Sequence, residues 1–332
     1  MNARPLLRPL ALLLAAIAAP ATLAAQRFEP AAPAFAFLQT PPNGLPKMPA
    51  PVGYEPTAAL FELGRELFHD GVLSRDRSVS CASCHPAATG FAHPDPQPPG
   101  IGGQKAARHA PALWNRGWAT LQRWDGSSAS LEEFVLEPIA DPREMGHTVP
   151  AAIERLNGEV AWRERFQRAA GGPATPAAVQ RALATFVRGI VAGDAPYDRF
   201  LKGDPGAMTP LQRHGQWVFE SKGGCWKCHV PPLFTDEQFH NTGVGVVDGK
   251  PEPGRAHVSK DDGDTGAWKT PTLRGLRLTA PYMHDGSLRT LDDVVAFYAR
   301  GGNQNPHLDP RLKALSLSEQ DQQALVAFLS SL

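Results

Sequence analysis

Apolar positions along the chain fall into short helical stripes separated by long stretches without any period. Residues 26 to about 55 are rich in proline and alanine, show no periodicity, and read as an extended arm. Thr57 then supplies an N-cap, and Leu60, Leu63, Leu67 and Phe68 share one helical face. The stripe vanishes from Val72 to Asp125 and returns over Ala151–Arg168 and Ala177–Ile190. Thr209 followed by Pro210 predicts another helix start, because threonine can accept an orphan amide and proline has no amide to lose. Helices over Leu291–Arg300, ended by Gly301 and Gly302, and over Glu319–Leu332, capped by Ser318, close the chain. No segment alternates with the period of two that a half-buried strand requires. The predicted class is mainly α, two domains with long loops, divided at a junction from Val191 to Pro205 into residues 56–192 and 193–332.

The N-terminus reads as a processing segment. Arg4 and Arg8 precede a short apolar run from Leu10 to Ala19, and Ala21, Ala24 and Ala25 supply a cleavage site before Gln26. That run is too short to cross a bilayer comfortably. Residues 1–25 are therefore expected to be a signal peptide, and the mature protein to be exported to the periplasm with no membrane span.

Composition sharpens this picture. The 332 residues include 31 glycines and 33 prolines, punctuation that favours short helices over a large regular sheet. A chain so rich in loops needs an added source of core, and large apolar cofactors would provide one. Lys plus Arg number 33 and Asp plus Glu number 33, so no net charge draws the protein to nucleic acid or anionic lipid.

All four cysteines lie in two motifs, Cys81-Ala82-Ser83-Cys84-His85 and Cys225-Trp226-Lys227-Cys228-His229. One Cys-X-X-Cys pair alone could be a redox dithiol or half a zinc site. Two pairs, each followed at once by histidine, instead specify two covalently attached haem c groups, with thioethers at the cysteines and His85 and His229 as proximal ligands.

A weak internal repeat accompanies the motifs. Pro111-Ala112-Leu113 matches Pro271-Thr272-Leu273, Asp125-Gly126-Ser127 matches Asp285-Gly286-Ser287, and Leu131-Glu132-Glu133 matches Leu291-Asp292-Asp293, each offset by 160 residues. The two haem motifs are offset by 144, so the second copy carries extra residues after its motif. Two related haem domains account for both offsets.

From Leu63 to the C-terminus the chain resembles the bacterial dihaem cytochrome c peroxidase family, which includes the MauG-type enzymes. The resemblance rests on Leu63-Gly64-Arg65-Glu66-Leu67-Phe68, the two haem motifs, Trp124-Asp125-Gly126, Pro138-Ile139, Glu144-Met145, Leu201-Lys202-Gly203-Asp204 and Thr279-Ala280-Pro281-Tyr282-Met283-His284-Asp285-Gly286. It implies that the N-terminal haem reacts with hydrogen peroxide while the C-terminal haem stores or relays electrons.

The resemblance also implies roles for single residues. Tyr298, 14 residues after His284, matches the position of the sixth ligand of the C-terminal haem, which is tyrosine in MauG-like members; Met283 is the rival ligand. A phenolate oxygen favours ferric and higher states, so that haem should resist reduction. The repeat offset carries Tyr298 onto Pro138, which cannot ligate iron, leaving the matching place over the N-terminal haem open. Glu144 matches the family's acid–base glutamate, Trp124 the tryptophan between the haems, and Thr279 and Pro281 the positions beside a calcium ion, although the family's asparagine there is His109 here. The histidine that blocks the first haem in many members would fall within Ile101-Gly102-Gly103-Gln104, where there is none; the nearest candidates are His93, eight residues after His85, and His109. Phe134 replaces a distal glutamine, which implies a drier pocket. Gly223 stands where MauG has a surface tryptophan, although Trp226 lies within the motif.

Three functions follow as expectations. The first is peroxide reduction with electrons from a small c-type cytochrome or copper protein. The second is MauG-like oxidation of an aromatic side chain in a partner protein. The third is a dihaem electron carrier without catalysis, which would need six ligands on both irons.

Overall fold

The computed structural model describes residues 28–332, so the leader read at residues 1–25 lies outside the described residues. The architecture is mainly α, and its longer helices come in two sets. The first comprises α1 (Ala58–His69), α2 (Val149–Gly158), α3 (Val160–Ala170) and α4 (Pro176–Arg188). The second comprises α5 (Pro210–Glu220), α6 (Leu291–Ala299) and α7 (Glu319–Leu329). Their starts follow local chemistry. The hydroxyl of Thr57 accepts from the amide of Leu60 at 3.1 Å, and that of Ser318 accepts from Asp321 at 3.1 Å. Thr209 and Gln212 form a reciprocal capping box ahead of Pro210.

Each set is closed by its first and last helices crossing through a glycine. A Cβ on Gly64 of α1 would lie 1.9 Å from the carbonyl oxygen of Ala182 in α4 and 2.9 Å from Cβ of Phe186. A Cβ on Gly215 of α5 would lie 1.9 Å from the carbonyl oxygen of Ala324 in α7 and 2.7 Å from Cβ of Phe328. Only glycine admits so close an approach of backbones. The repeat visible in the loops therefore extends to the helix crossings, where Gly64 with Leu67 and Phe68 parallels Gly215 with Val218 and Phe219, and Ala182-Leu183 with Phe186 parallels Ala324-Leu325 with Phe328.

Buried apolar side chains gather into two clusters, over residues 28–195 and 197–332. The segment between them is clamped rather than loose. It contains a short helix, Pro196–Leu201, whose Asp198 takes two hydrogen bonds from the fully buried guanidinium of Arg274, at 2.7 and 2.8 Å. Arg274 Nε also donates to the carbonyl of Pro232 at 2.6 Å, tying this pair to the loop beyond the second haem motif. The Pro/Ala-rich arm carries a helical turn, Ala36–Gln39, and buries Phe28 and Met48.

Two elements differ from the sequence expectation. The stretch expected as one helix from Ala151 to Arg168 is broken at Glu159, whose backbone is extended. The buried positions explain the break: Ala152 and Leu156 in α2 are four apart, as are Trp162 and Phe166 in α3, but the step between the pairs is out of phase. The structure also contains a small antiparallel pair, β1 (Phe239–His240) with β2 (Trp268–Lys269). Two-residue strands are too short to leave an alternating pattern. No helix among the described residues is long and apolar enough to cross a membrane.

Candidate haem centres

Both Cys-X-X-Cys-His motifs form single helical turns, over Cys81–Cys84 and Cys225–Lys227, and the four thiols are not joined in disulfides. Each following histidine is oriented through its Nδ1. His85 Nδ1 lies 2.8 Å from the carbonyl oxygen of Phe91, and His229 Nδ1 lies 2.9 Å from that of Phe234. With the N–H donated there, Nε2 is left as the lone-pair atom that an axial iron ligand requires. The carbonyls of Pro111 and Pro271 face the same two imidazoles, which gives the Pro-X-Leu repeat a structural role. Burial pushes His85 down to about 4 and also lowers His229, so both rings are neutral, the form that binds metal. Phe91 and Phe234, whose carbonyls are used, both adopt left-handed backbone, with φ of 57° and 54°.

An apolar cavity opens beside the first motif. Cys81, Cys84 and His85 line it together with Phe68, Val79, Leu113, Leu131, Phe134, Val135, Pro138, Glu144, Met145, Leu183 and Val187, and Arg116 and Gln122 also border it. The thiols, the free Nε2 and this hydrophobic lining fit a haem c bound by two thioethers and one imidazole. Pro138 and Glu144 thus share the cavity with His85. Burial raises the carboxyl of Glu144 above its ordinary range, with Asp141 adding to the rise and Arg123 and Arg143 opposing it. A carboxyl so tuned can exchange a proton nearer neutral pH than an exposed one.

Gln122, which sequence reasoning missed, adds a polar group to this cavity. Its Oε1 accepts from Arg116 Nε at 2.9 Å and from Nη2 at 2.7 Å. Phe134 does line the cavity, but the pocket is less dry than that replacement alone implies, since a carboxamide arrives from a different segment. The turn that brings it is repeated: the Gln122 amide bonds to Ser128 as the Tyr282 amide bonds to Leu288. Only the Asp-Gly-Ser core of the turn was readable in both copies. His93 is not among the cavity-lining residues; its Nδ1 accepts from the amide of Asp95 at 3.0 Å, and its carbonyl oxygen lies 2.8 Å from Nε2 of His109.

On the second side, Tyr298 projects from α6 with its hydroxyl near Thr242 and in the neighbourhood of Cys225 and Cys228. Burial pushes the phenol well above its ordinary value, and a hydrogen bond with the Thr242 side chain opposes part of that rise. Met283 packs against the C-terminal apolar cluster in a left-handed conformation, with φ of 75°. Thr279 donates its hydroxyl to the carbonyl of Leu276 at 3.1 Å, and a cis peptide bond precedes Pro281.

Trp124 lies at the seam between the two halves. Its ring N–H donates to the carbonyl of His109 at 2.9 Å, and its own carbonyl accepts from the amide of Lys269 at 2.8 Å. The edge of its ring faces His284, 6.5 Å between centroids at 67°.

Paired thioether motifs with oriented histidines define a dihaem c-type redox protein. The profile of the di-haem cytochrome c peroxidase family matches residues 58–206. The chain is 37% identical over 291 residues to the methylamine utilization protein MauG of Methylorubrum extorquens, covering 86% of this chain and 81% of that protein. It is 36% identical over 303 residues to the cytochrome-c peroxidase IdrP2 of Denitromonas iodatirespirans, covering 83% and 82%. Among solved structures, a MauG-like protein associated with microbial copper homeostasis superposes with a TM-score of 0.81 at 30% identity, over 87% of this chain and 93% of that one. The chain belongs to the di-haem cytochrome c peroxidase family and is a di-haem oxidoreductase; membership implies two haem c cofactors.

Proposed function

We propose that this oxidoreductase, exported to the periplasm, reduces hydrogen peroxide at the N-terminal haem with electrons delivered through the C-terminal haem by a small c-type cytochrome or copper protein. The observation that carries the proposal is an asymmetry. The cavity beside His85 is lined by Pro138 and a carboxyl of raised pKa, Glu144, whereas the matching segment of the second half presents the phenol of Tyr298 near Cys225 and Cys228.

When bound, the haem supplies an iron that can take a peroxide oxygen and exchange electrons with it. The chain's own residues would do the rest. Pro138 offers no ligating atom, so that face can receive substrate. Glu144 would accept a proton from the near oxygen of peroxide and return it to the far oxygen, so that the leaving group departs as water. Arg116 holds Gln122 at the cavity wall, where its carboxamide can orient the substrate. Trp124, fixed by its bond to His109, would pass oxidising equivalents across the seam, and Tyr298 would cap the second iron as phenolate. Thr279 and Pro281 are the positions we assign to an inter-domain calcium ion, a proposal that elemental analysis of the purified protein tests.

Steady-state turnover with peroxide and a reduced small cytochrome tests the main reading, which expects rapid oxidation of the cytochrome. Near inactivity, with a peroxide-induced change in haem absorbance, would favour the second reading: MauG-like oxidation of an aromatic side chain in a partner protein, supported by the relation to MauG and by Tyr298. Peroxide leaving the haem absorbance unchanged would revert the protein to a plain electron carrier.

A further inference from the structure

We propose that Trp268 is a second relay site, through which oxidising equivalents on Trp124 reach the protein surface by way of His284. This inference rests on the peroxide-dependent reading above. His284 is buried between two indoles. Its ring stacks on Trp268 at 4.0 Å between centroids and 19° between planes, and meets the edge of Trp124 at 6.5 Å. Trp268, unlike His284, is only partly buried, so the three rings run from the inter-domain seam toward solvent.

The stack is held from the backbone. The amide of His109 donates to the carbonyl of His284 at 3.0 Å, while the carbonyl of His109 holds the Trp124 indole. Trp268 is fixed in β2 opposite His240. Two polar ring atoms in this assembly, Nε2 of His284 and Nε1 of Trp268, are buried without a hydrogen-bond partner. Leaving such groups unpaired costs free energy, and stacking geometry rather than hydrogen bonding governs their placement.

Charged groups at the outer end set the energetics. The Arg108 guanidinium lies 4.8 Å from the centre of the Trp268 ring, and it pairs with Glu252, whose other oxygen is 4.0 Å from His284 Nε2. The cation stabilises the neutral indole through its π face and opposes its oxidation, and the carboxylate offsets part of that effect. The relay step is a one-electron transfer from the Trp268 indole to the oxidised Trp124 indole. Nε1 has no acceptor, so the proton stays and Trp268 becomes a cation radical until an external one-electron donor refills it.

Without a donor the same site should record its own oxidation. Loss of two electrons and two protons with addition of water converts the indole to hydroxytryptophan, while hydrogen peroxide takes up those electrons and protons to give two waters. The test treats the dihaem protein with a small excess of hydrogen peroxide, without dioxygen or donor, and follows haem absorbance and peptide masses together. Trp217, exposed and also beside a cation, Lys222, serves as the control for freely diffusing oxidants. Trp268 is expected to gain oxygen several-fold more than Trp217. Arg108→Gln is expected to raise that yield several-fold, and Trp124→Phe to lower it several-fold. A changed haem absorbance with Trp268 modified no more than Trp217, or unaffected by both substitutions, would overturn the relay alone. Unchanged haem absorbance would overturn the peroxide reading and the relay with it.

Discussion

His85 and His229 are oriented by near-copies of one loop. Each directs Nδ1 to a phenylalanine carbonyl, each faces a proline carbonyl from the same repeat, and each lies beside a glycine-mediated helix crossing. On the opposite side the copies part. The first half lines its cavity with Phe134, Pro138 and Glu144, and the second places Tyr298 near the thiols. The shared side is the one that covalent attachment and metal ligation constrain, since the histidine must be neutral, aimed and held. The divergent side is built from two short helical turns and the loop after them in the first half, Leu131–Phe134 and Glu137–Ala140, and from the last turn of α6 in the second. Redox division of labour can therefore arise on one duplicated scaffold through a few distal residues.

The comparison is most exposed at Glu144. Glu144→Gln should lower kcat with peroxide by about 10²- to 10⁴-fold, the usual contribution of a positioned acid–base group, with both haem spectra retained. Because burial raises this carboxyl, the proton-accepting form is lost as pH falls through a value above the ordinary carboxylate range. The acid limb of kcat/KM should lie correspondingly high and vanish in the variant; a limb that persists would assign it to another group.

Tyr298→Phe probes the other side. Removing the phenolate proposed for the second haem should alter the resting spectrum of one haem and make that haem easier to reduce, as a spectroelectrochemical titration would read. An unchanged potential would mean that the phenol does not distinguish the halves.

The scaffold equivalence predicts a smaller and symmetrical effect. Gly64→Ala and Gly215→Ala each drive a methyl into a backbone carbonyl 1.9 Å away, and each should cost at least about 1–3 kcal/mol in denaturant unfolding. Tolerance at one position only would break the equivalence of the crossings. Smallest of all, Thr57→Ala and Ser318→Ala each remove an N-cap and should cost about 1 kcal/mol, with little change at either haem.

Several features were legible without coordinates because their chemistry is local. The haem motifs require five consecutive residues, and the starts of α1, α5 and α7 depend on a capping side chain within three positions of the amide it serves. The family resemblance carried Pro138, Glu144, Trp124 and Tyr298 into the reading as expectations about sites. The break at Glu159 shows in the sequence only as a change of phase, the six-residue step from Leu156 to Trp162, which a reading of two separate stripes as one helix passes over. The β1–β2 pair left no signal, because two residues cannot show a period.

The sequence alone thus determined the two Cys-X-X-Cys-His motifs, the family whose members hold two haem c groups, and that the flanking segments are helical, since motif spacing and capping act over a few residues. Tertiary structure alone decided that Gln122 borders the cavity holding Glu144, that Gly64 and Gly215 are the points where helices touch, and that Trp268 stacks on His284 beside Trp124. Gly64 meets Ala182 and Gly215 meets Ala324 within one half each, and Trp268 reaches His284 within the second. Trp124 meets His284 across the seam. These contacts are set by packing between segments, which no local pattern encodes.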